Sequence, residues 1–175
     1  MEIKFRPLTA AEIEVKVKQV KEKGLVALLY KTARTDMDLL DETVGAENWT
    51  NDYKDIKGNL YCGIAIKDGD AWVWKWDCGI ESREDEEGNE KKGEASDAFK
   101  RAGFRWGIGR ELYTSPFVWI GAEKANIEPG NNGRFSCYDK FSVEKIAYSE
   151  DGRRITGLAI WNDTKKGRAF VWTES

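Results

Sequence analysis

The sequence predicts an α+β fold: an antiparallel β-β-β meander packed by a long basic helix, with an N-terminal helix and extra C-terminal β-strands. Residues 49–80 and 141–174 alternate apolar and polar side chains, as half-buried strands do. Residues 93–106 instead repeat apolar side chains at helical spacing. Because strands and helices come in separate blocks, α+β is favoured over a parallel α/β sheet.

The N-terminal segment "LTAAEIEVKVKQVKEKG", residues 8–24, predicts an amphipathic helix. Thr9 followed by Glu12 has the form of a capping box, and Gly24 is a common helix stop. Apolar residues recur between them near helical spacing, at Ile13, Val17 and Val20. "LVALLY" then predicts a short buried strand, and a second helix is expected over about residues 36–44, ending at Gly45.

The meander is predicted from "WTNDYKDI", "NLYCGIAIK" and "AWVWKWDCGI", which are separated by the hairpin turns "KGN" and "DGD". In its third strand, Trp72, Trp74 and Trp76 occupy alternate positions and therefore share one face. Such a row is either a core wall beneath the basic helix or a platform on which nucleobases stack. We favour the core wall, because a sheet must bury one face; Lys75 and Asp77 would then point away from the helix.

The basic helix carries its apolar residues in one stripe that must pack on the sheet: Ala95, Ala98, Phe99, Ala102 and Trp106. Lys100, Arg101 and Arg105 lie outside this stripe. Gly103 and Gly107 weaken the helix, so we expect a close backbone approach or a turn there. The following "GIGR" redirects the chain and presents Arg110.

Charge is segregated along this part of the chain, although the net charge of the protein is −3. Residues 81–90 contain six acidic residues and one arginine, whereas residues 91–113 contain six basic residues and three acidic ones. An acidic protein can still bind nucleic acid if its positive charge lines one groove. Taken alone, however, a charged helix face is more often a solvated surface.

The C-terminal part predicts three further strands, "FSVEKIAYS", "RITGLAIWN" and "RAFVWTE". Whether they extend the meander or form a second small sheet stays open. A length of 175 residues fits one domain. We expect this domain, 1–175, to comprise a core at 25–113, an irregular connector at 114–133 and a β extension at 134–175.

The amino-acid composition excludes several classes of catalytic and binding site. The chain has no histidine, which excludes Ser-His-Asp and Cys-His nucleophiles, and it has no GxxxxGK[ST] loop for ATP. Its three cysteines lack CxxC spacing, so we expect neither a metal site nor a disulfide. No apolar run approaches the roughly 20 residues of a membrane span, and the N-terminus lacks the apolar core of a secretory signal. We expect a cytoplasmic protein with no cofactor, no catalytic residues and no membrane contact.

Three features together resemble the Rad52/22 family of single-strand annealing proteins, and most closely its short phage recombinases of the Sak type. They are "VGAENW", the three-stranded meander and "KGEASDAFKRAGFRWGIGRELY". The similarity covers roughly residues 25–113, and "DAFKRA" and "GIGRELY" are its specific segments. The part from residue 119 to 175 has no counterpart in the eukaryotic members.

The resemblance implies an oligomeric ring or helical arc that holds single-stranded DNA by its sugar-phosphate backbone and anneals complementary strands without ATP in homologous recombination and DNA repair. The matching groove positions are Lys100 and Arg101, with Lys92 and Arg34 as further basic positions. Arg105 and Arg110 complete the predicted DNA-binding set. A single-strand binding protein or an exonuclease is a potential partner in a bacterial host cell.

Two alternatives remain. One is a protein that protects single-stranded DNA without annealing it. The other is a magnesium-dependent nuclease, since Asp77, Glu90 and Lys92 follow a D…ExK pattern. That chemistry requires the glutamate and lysine to alternate on one strand, whereas the sequence around Gly88 and Asn89 predicts a loop.

Overall fold

The computed structural model describes residues 2–80 and 90–175, and the chain divides into two compact units. The first unit comprises Met1–Arg6 and Lys31–Gly109, and the second comprises Pro7–Tyr30 and Arg110–Ser175. The helices are α1 (Ala33–Val44) and α2 (Glu90–Arg105), and the strands in chain order are β1 (Glu14–Lys21), β2 (Gly24–Tyr30), β3 (Trp49–Ile56), β4 (Asn59–Asp68), β5 (Ala71–Cys78), β6 (Val118–Gly121), β7 (Glu128–Pro129), β8 (Phe135–Ser136), β9 (Phe141–Tyr148), β10 (Ile155–Asn162) and β11 (Gly167–Thr173). The predicted α+β class is confirmed.

The predicted meander forms the sheet of the first unit, in the order β3-β4-β5 with antiparallel pairing throughout. Lys57 and Gly58 join β3 to β4 with φ angles of 54° and 78°. Positive φ at both central residues is the mark of a hairpin turn whose twist matches that of the strands. The central strand β4 supplies the buried residues, which run from Cys62 to Ile66.

The two helices of this unit begin three residues earlier than predicted. The Thr32 side chain caps α1 by accepting a hydrogen bond from the Thr35 amide at 3.3 Å, and α1 ends at Gly45 as predicted. The predicted apolar stripe of α2 packs on the sheet: Ala98, Phe99 and Ala102 are buried. Just beyond α2, the indole nitrogen of Trp106 donates to the carbonyl oxygen of Ile64 in β4 at 2.9 Å.

The prediction that the tryptophan row forms a core wall beneath this helix is wrong. The register places Trp74 and Trp76 opposite Ala65 and Gly63 of β4, on the sheet face away from α2. The side chains that meet the helix segment are instead Lys75, whose ammonium lies 4.5 Å from the Trp106 ring centroid, and Asp77. Trp72 and Trp74 are 41% and 39% exposed.

The predicted N-terminal helix is also wrong: the segment is a strand, β1. The Glu12 carboxylate does accept a hydrogen bond from the Thr9 amide at 2.9 Å, but this closes only a single 3-10 turn, Ala10–Glu12. The pairing of β1 with β2 shifts register between Val17 and Gln19, and the extra residue of this β-bulge separates Val17 from Val20 by three positions. The bulge therefore imitates helical spacing within a strand.

The second unit is built on a six-stranded sheet with the order β11-β10-β9-β1-β2-β6. The three predicted C-terminal strands are confirmed as β9, β10 and β11. β10 pairs with both β9 and β11, and β9 pairs with β1 rather than with the meander. The predicted connector, 114–133, contributes β6 to this sheet and β7 to a two-stranded ladder with β8. Within the residues described, neither helix has the length and apolar composition needed to cross a bilayer.

Candidate nucleic-acid interface

Four of the six predicted DNA-binding residues lie on α2, where the apolar stripe holds the helix against the sheet and directs other positions outward. Lys92, Arg101 and Arg105 are exposed and Lys100 is half-buried. At roughly 100° per residue, Arg101 and Arg105 lie one turn apart on the same side of α2, whereas Lys100 is turned towards α1. The cations of α2 thus form a band around its outer surface rather than one cluster.

Arg101 lies on the side of α2 next to the end of β5. Its Nε donates to Oδ2 of Asp97, one turn earlier, at 3.1 Å. The same carboxylate oxygen accepts from the amide of Ile80 at 2.9 Å. The remaining guanidinium donors of Arg101 make no hydrogen bond to any described residue, and this side chain is 44% exposed. An ion pair this exposed contributes at most about 1 kcal/mol, so a phosphate can compete for Arg101.

Arg105 is anchored to the strand beside α2. Its Nε donates to Oδ2 of Asp77 at 2.9 Å, and the arginine side chain remains 56% exposed. Lys75 donates to the carbonyl oxygen of Arg105 at 3.3 Å. These contacts fix the end of α2 to β5 and orient a guanidinium that solvent still reaches.

Beneath Lys100 lies a buried ion pair that no sequence pattern predicted. The ammonium of Lys31, 9% exposed, contacts both carboxylate oxygens of Asp36, which is fully buried. Lys31 also donates to the carbonyl oxygen of Lys100 at 3.3 Å. Burial raises the pKa of Asp36 to about 6, with the positive charges of Lys31 and Lys100 acting in the opposite direction. The pair therefore ties the start of α1 to the middle of α2.

Gly103 makes this approach possible, and it is the close-contact glycine that the sequence predicted. A Cβ at Gly103 would lie 2.7 Å from Oδ2 of Asp36, and the Asp36 side chain is held by Lys31. We expect Gly103→Ala to lower the free energy of unfolding by about 1–3 kcal/mol, although alanine has the higher helix propensity. Urea titration measures this, with Ser96→Ala two turns earlier in α2 as the control. Equal stability of the Gly103 variant and the parent would contradict the tight packing.

The other two predicted cations lie outside α2. Arg34 is exposed in the first turn of α1, which packs on α2 in the same unit. Arg110 belongs to the second unit, where it begins the 3-10 helix Arg110–Thr114. The first unit thus brings together α1 and α2 with five of the six predicted residues.

The geometry does not provide what the nuclease alternative requires. Glu90 and Lys92 lie in the first turn of α2 and not on a strand, so the alternation along one strand that this chemistry requires is not present. The Asp77 carboxylate is engaged by Arg105. In the two described ranges, no group of three or more aspartate, glutamate or cysteine side chains is placed to hold a metal ion.

The sequence that forms the two helices and the meander matches the model of a known protein family. The model of the Rad52/22 family of double-strand break repair proteins matches residues 5–131, which include both helices, the whole meander and all six predicted cations. Searches of curated proteins and of solved structures found no match. Because the matched region covers well over half of the sequence, the chain belongs to the Rad52/22 family of double-strand break repair proteins.

Proposed function

We propose that this protein binds single-stranded DNA through the outer cations of α2 and promotes annealing of complementary strands without ATP. The observation that carries the proposal is the pair Lys100 and Arg101 on a helix fixed to its sheet. Among the described residues, the Lys100 ammonium makes no hydrogen bond or ion pair, and Arg101 keeps guanidinium donors available beyond its contact with Asp97. Both side chains can therefore accept phosphates as partners.

The physical basis of the proposal is electrostatic. Lysine and arginine that neutralise phosphates release bound counterions, and this gives affinity without sequence preference. A few contacts on one protomer bind weakly, but a homo-oligomeric ring or helical arc would repeat them along the strand and multiply the affinity. Annealing then requires only that repulsion between strands is screened while base edges stay accessible.

The proposal extends to the finer features that the sequence suggested. Further phosphate contacts come from four other cations, Lys92, Arg105, Arg34 and Arg110. No residue acts as a catalyst or metal ligand. Within the family we propose the phage Sak type, acting in the cytoplasm of a bacterial host beside a single-strand binding protein or an exonuclease. The exposed surface of α2 supports this assignment over the nuclease, and it is compatible with a protein that only protects DNA.

An annealing assay separates annealing from protection. Two complementary oligonucleotides carrying a fluorescence donor and acceptor are mixed without nucleotide and without divalent metal. We expect the protein to raise the rate of pairing, because bound cations screen the repulsion between the two backbones. Light scattering on the same samples measures assembly. A protein that binds both strands but slows their pairing would contradict annealing and support protection alone.

A further inference from the structure

The outer face of the three-stranded sheet carries an aromatic surface that the α2 cations do not use. Trp72, Trp74 and Trp76 share this face with Lys54 of β3 and Lys67 of β4, as the strand register shows. We call this surface the indole face. Trp72 and Trp74 are 41% and 39% exposed. An indole is among the largest apolar groups in proteins, and exposed aromatic rows of this kind mark a binding surface more often than a solvated one.

The indoles are arranged as a platform. The rings of Trp74 and Trp76 are nearly parallel, with an interplanar angle of 18° and centroids 5.4 Å apart. A Cβ at Gly63 would lie 2.5–2.6 Å from three atoms of the Trp76 indole, so this ring lies flat against the backbone of β4. Glycine and alanine at positions 63 and 65 of β4 leave room for the two indoles above them.

The charge of the indole face favours a polyanion. The ammonium of Lys54 lies 4.5 Å from the centroid of the Trp76 ring, and Lys67 is the cross-strand partner of Trp72. Asp52, which is opposite Gly63, is the acidic residue that the register adds to this face. Aromatic rings interleaved with lysines match a ligand that alternates flat rings with phosphates, because each base has a π-face to stack and each phosphate attracts an ammonium.

We propose that the indole face binds unpaired nucleobases of single-stranded DNA by stacking on Trp72 and Trp74, with Lys54 and Lys67 contacting the adjacent phosphates. The proposal rests on the proposed function, because it takes single-stranded DNA as the ligand. Duplex DNA covers the faces of its bases by pairing and stacking, whereas the bases of a single strand are free to stack on Trp72 and Trp74, so this surface selects for single strands.

The indole face and the α2 cations bind separate stretches of DNA. α2 packs on the sheet face that bears Lys75 and Asp77, whereas the indoles occupy the opposite face of the same sheet. A nucleotide stacked on Trp74 therefore does not contact Lys100 of the same protomer. The α2 cations contact only the DNA backbone, and the indole face adds a contact that depends on the bases.

The test compares an oligonucleotide that has bases with an abasic one of equal length. Fluorescence anisotropy measures the affinity of the protein for each. We expect the parent to prefer the base-containing strand by roughly fivefold to a hundredfold. Trp72→Leu with Trp74→Leu keeps apolar area on the sheet but removes the π-faces, so this preference should fall at least about fivefold. Phe117→Ala with Tyr138→Ala, at residues 72% and 79% exposed in the second unit, is the control and should leave the preference unchanged.

Other results of these measurements would overturn base stacking on the indole face or separate it from binding by the α2 cations. An unchanged preference in the leucine variant overturns the proposal, as does a parent that binds both oligonucleotides equally. Smaller assemblies in light scattering combined with an unchanged preference would overturn it and assign the indole face to a contact between copies of the chain. Lys100→Ala with Arg101→Ala should weaken binding of both oligonucleotides and preserve their ratio. If that cation variant instead binds like the parent while the leucine variant loses the preference, the α2 assignment fails and the indole face stands.

Discussion

Replacing Lys31 by Met is expected to lower the free energy of unfolding by about 3–5 kcal/mol at pH 8, the usual cost of leaving a buried charge without its partner. Asp36 is fully buried and its carboxylate is held by Lys31, so the variant buries an uncompensated anion beside Gly103. Urea unfolding followed by circular dichroism measures the loss. A loss below about 1 kcal/mol would show that the pair does not hold α1 against α2.

The same variant predicts a pH dependence with a definite sign. The pKa of Asp36 is about 6 in the parent, and the loss of the Lys31 charge raises it further. The folded variant then retains a proton that the unfolded chain has released, so its stability falls as pH rises through the folded pKa. The destabilisation should therefore be smaller at pH 5 than at pH 8. Lys31→Met with Asp36→Leu removes both charges and should recover most of the stability.

Lys100→Ala with Arg101→Ala is expected to weaken binding of single-stranded DNA by at least about tenfold at moderate salt, because two charge-assisted contacts are lost in every protomer. The loss should be uniform across base sequences, since phosphate contacts do not read bases. Neither side chain belongs to the buried stripe of α2, so stability should change little.

The control for this variant removes the same charge elsewhere. Lys16→Ala with Lys18→Ala takes two exposed lysines from β1 of the second unit. Binding by the control should stay close to that of the parent. If the two double variants lose affinity equally, net charge rather than the α2 surface determines binding.

The parts of the fold that the sequence predicted well are those in which period and packing agree. The meander alternates strictly between good turns, and the stripe of α2 repeats at 3.6 residues, so each has one face to bury. β1 was missed because its bulge after Val17 breaks the alternation that identifies a strand. The capping residues did not reveal the error, because Thr9 and Glu12 do form the contact that a capping box predicts.

The orientation of β5 could not be predicted from the alternation of apolar and polar residues alone. Alternation places Trp72, Trp74 and Trp76 on one face, but it does not say which face a helix covers. Lys75 and Asp77 look like solvent-facing residues, yet they contact Trp106 and Arg105. The choice of face depends on Gly63 and on the helix residues, which are distant in sequence.

The outward positions of the α2 cations could be predicted from the sequence, whereas the buried ion pair beneath them could not. Lys100, Arg101 and Arg105 follow from the helical wheel, since they lie outside the apolar stripe. The Lys31–Asp36 pair has no periodic signature, because it joins a strand end to a helix across from α2. Its one signal in the sequence was Gly103, a glycine inside a helix whose role appears only when Asp36 is placed beside it.

The central claim, that Lys100 and Arg101 of α2 hold DNA by its phosphates, is tested most directly by the salt dependence of binding. The logarithm of the binding constant is measured against the logarithm of salt concentration for the parent and for Lys100→Ala with Arg101→Ala. For single strands the slope is about −0.7 for each phosphate neutralised, so the variant's slope should be shallower by about 1.4 for each protomer bound. Parallel lines of equal affinity would contradict the account.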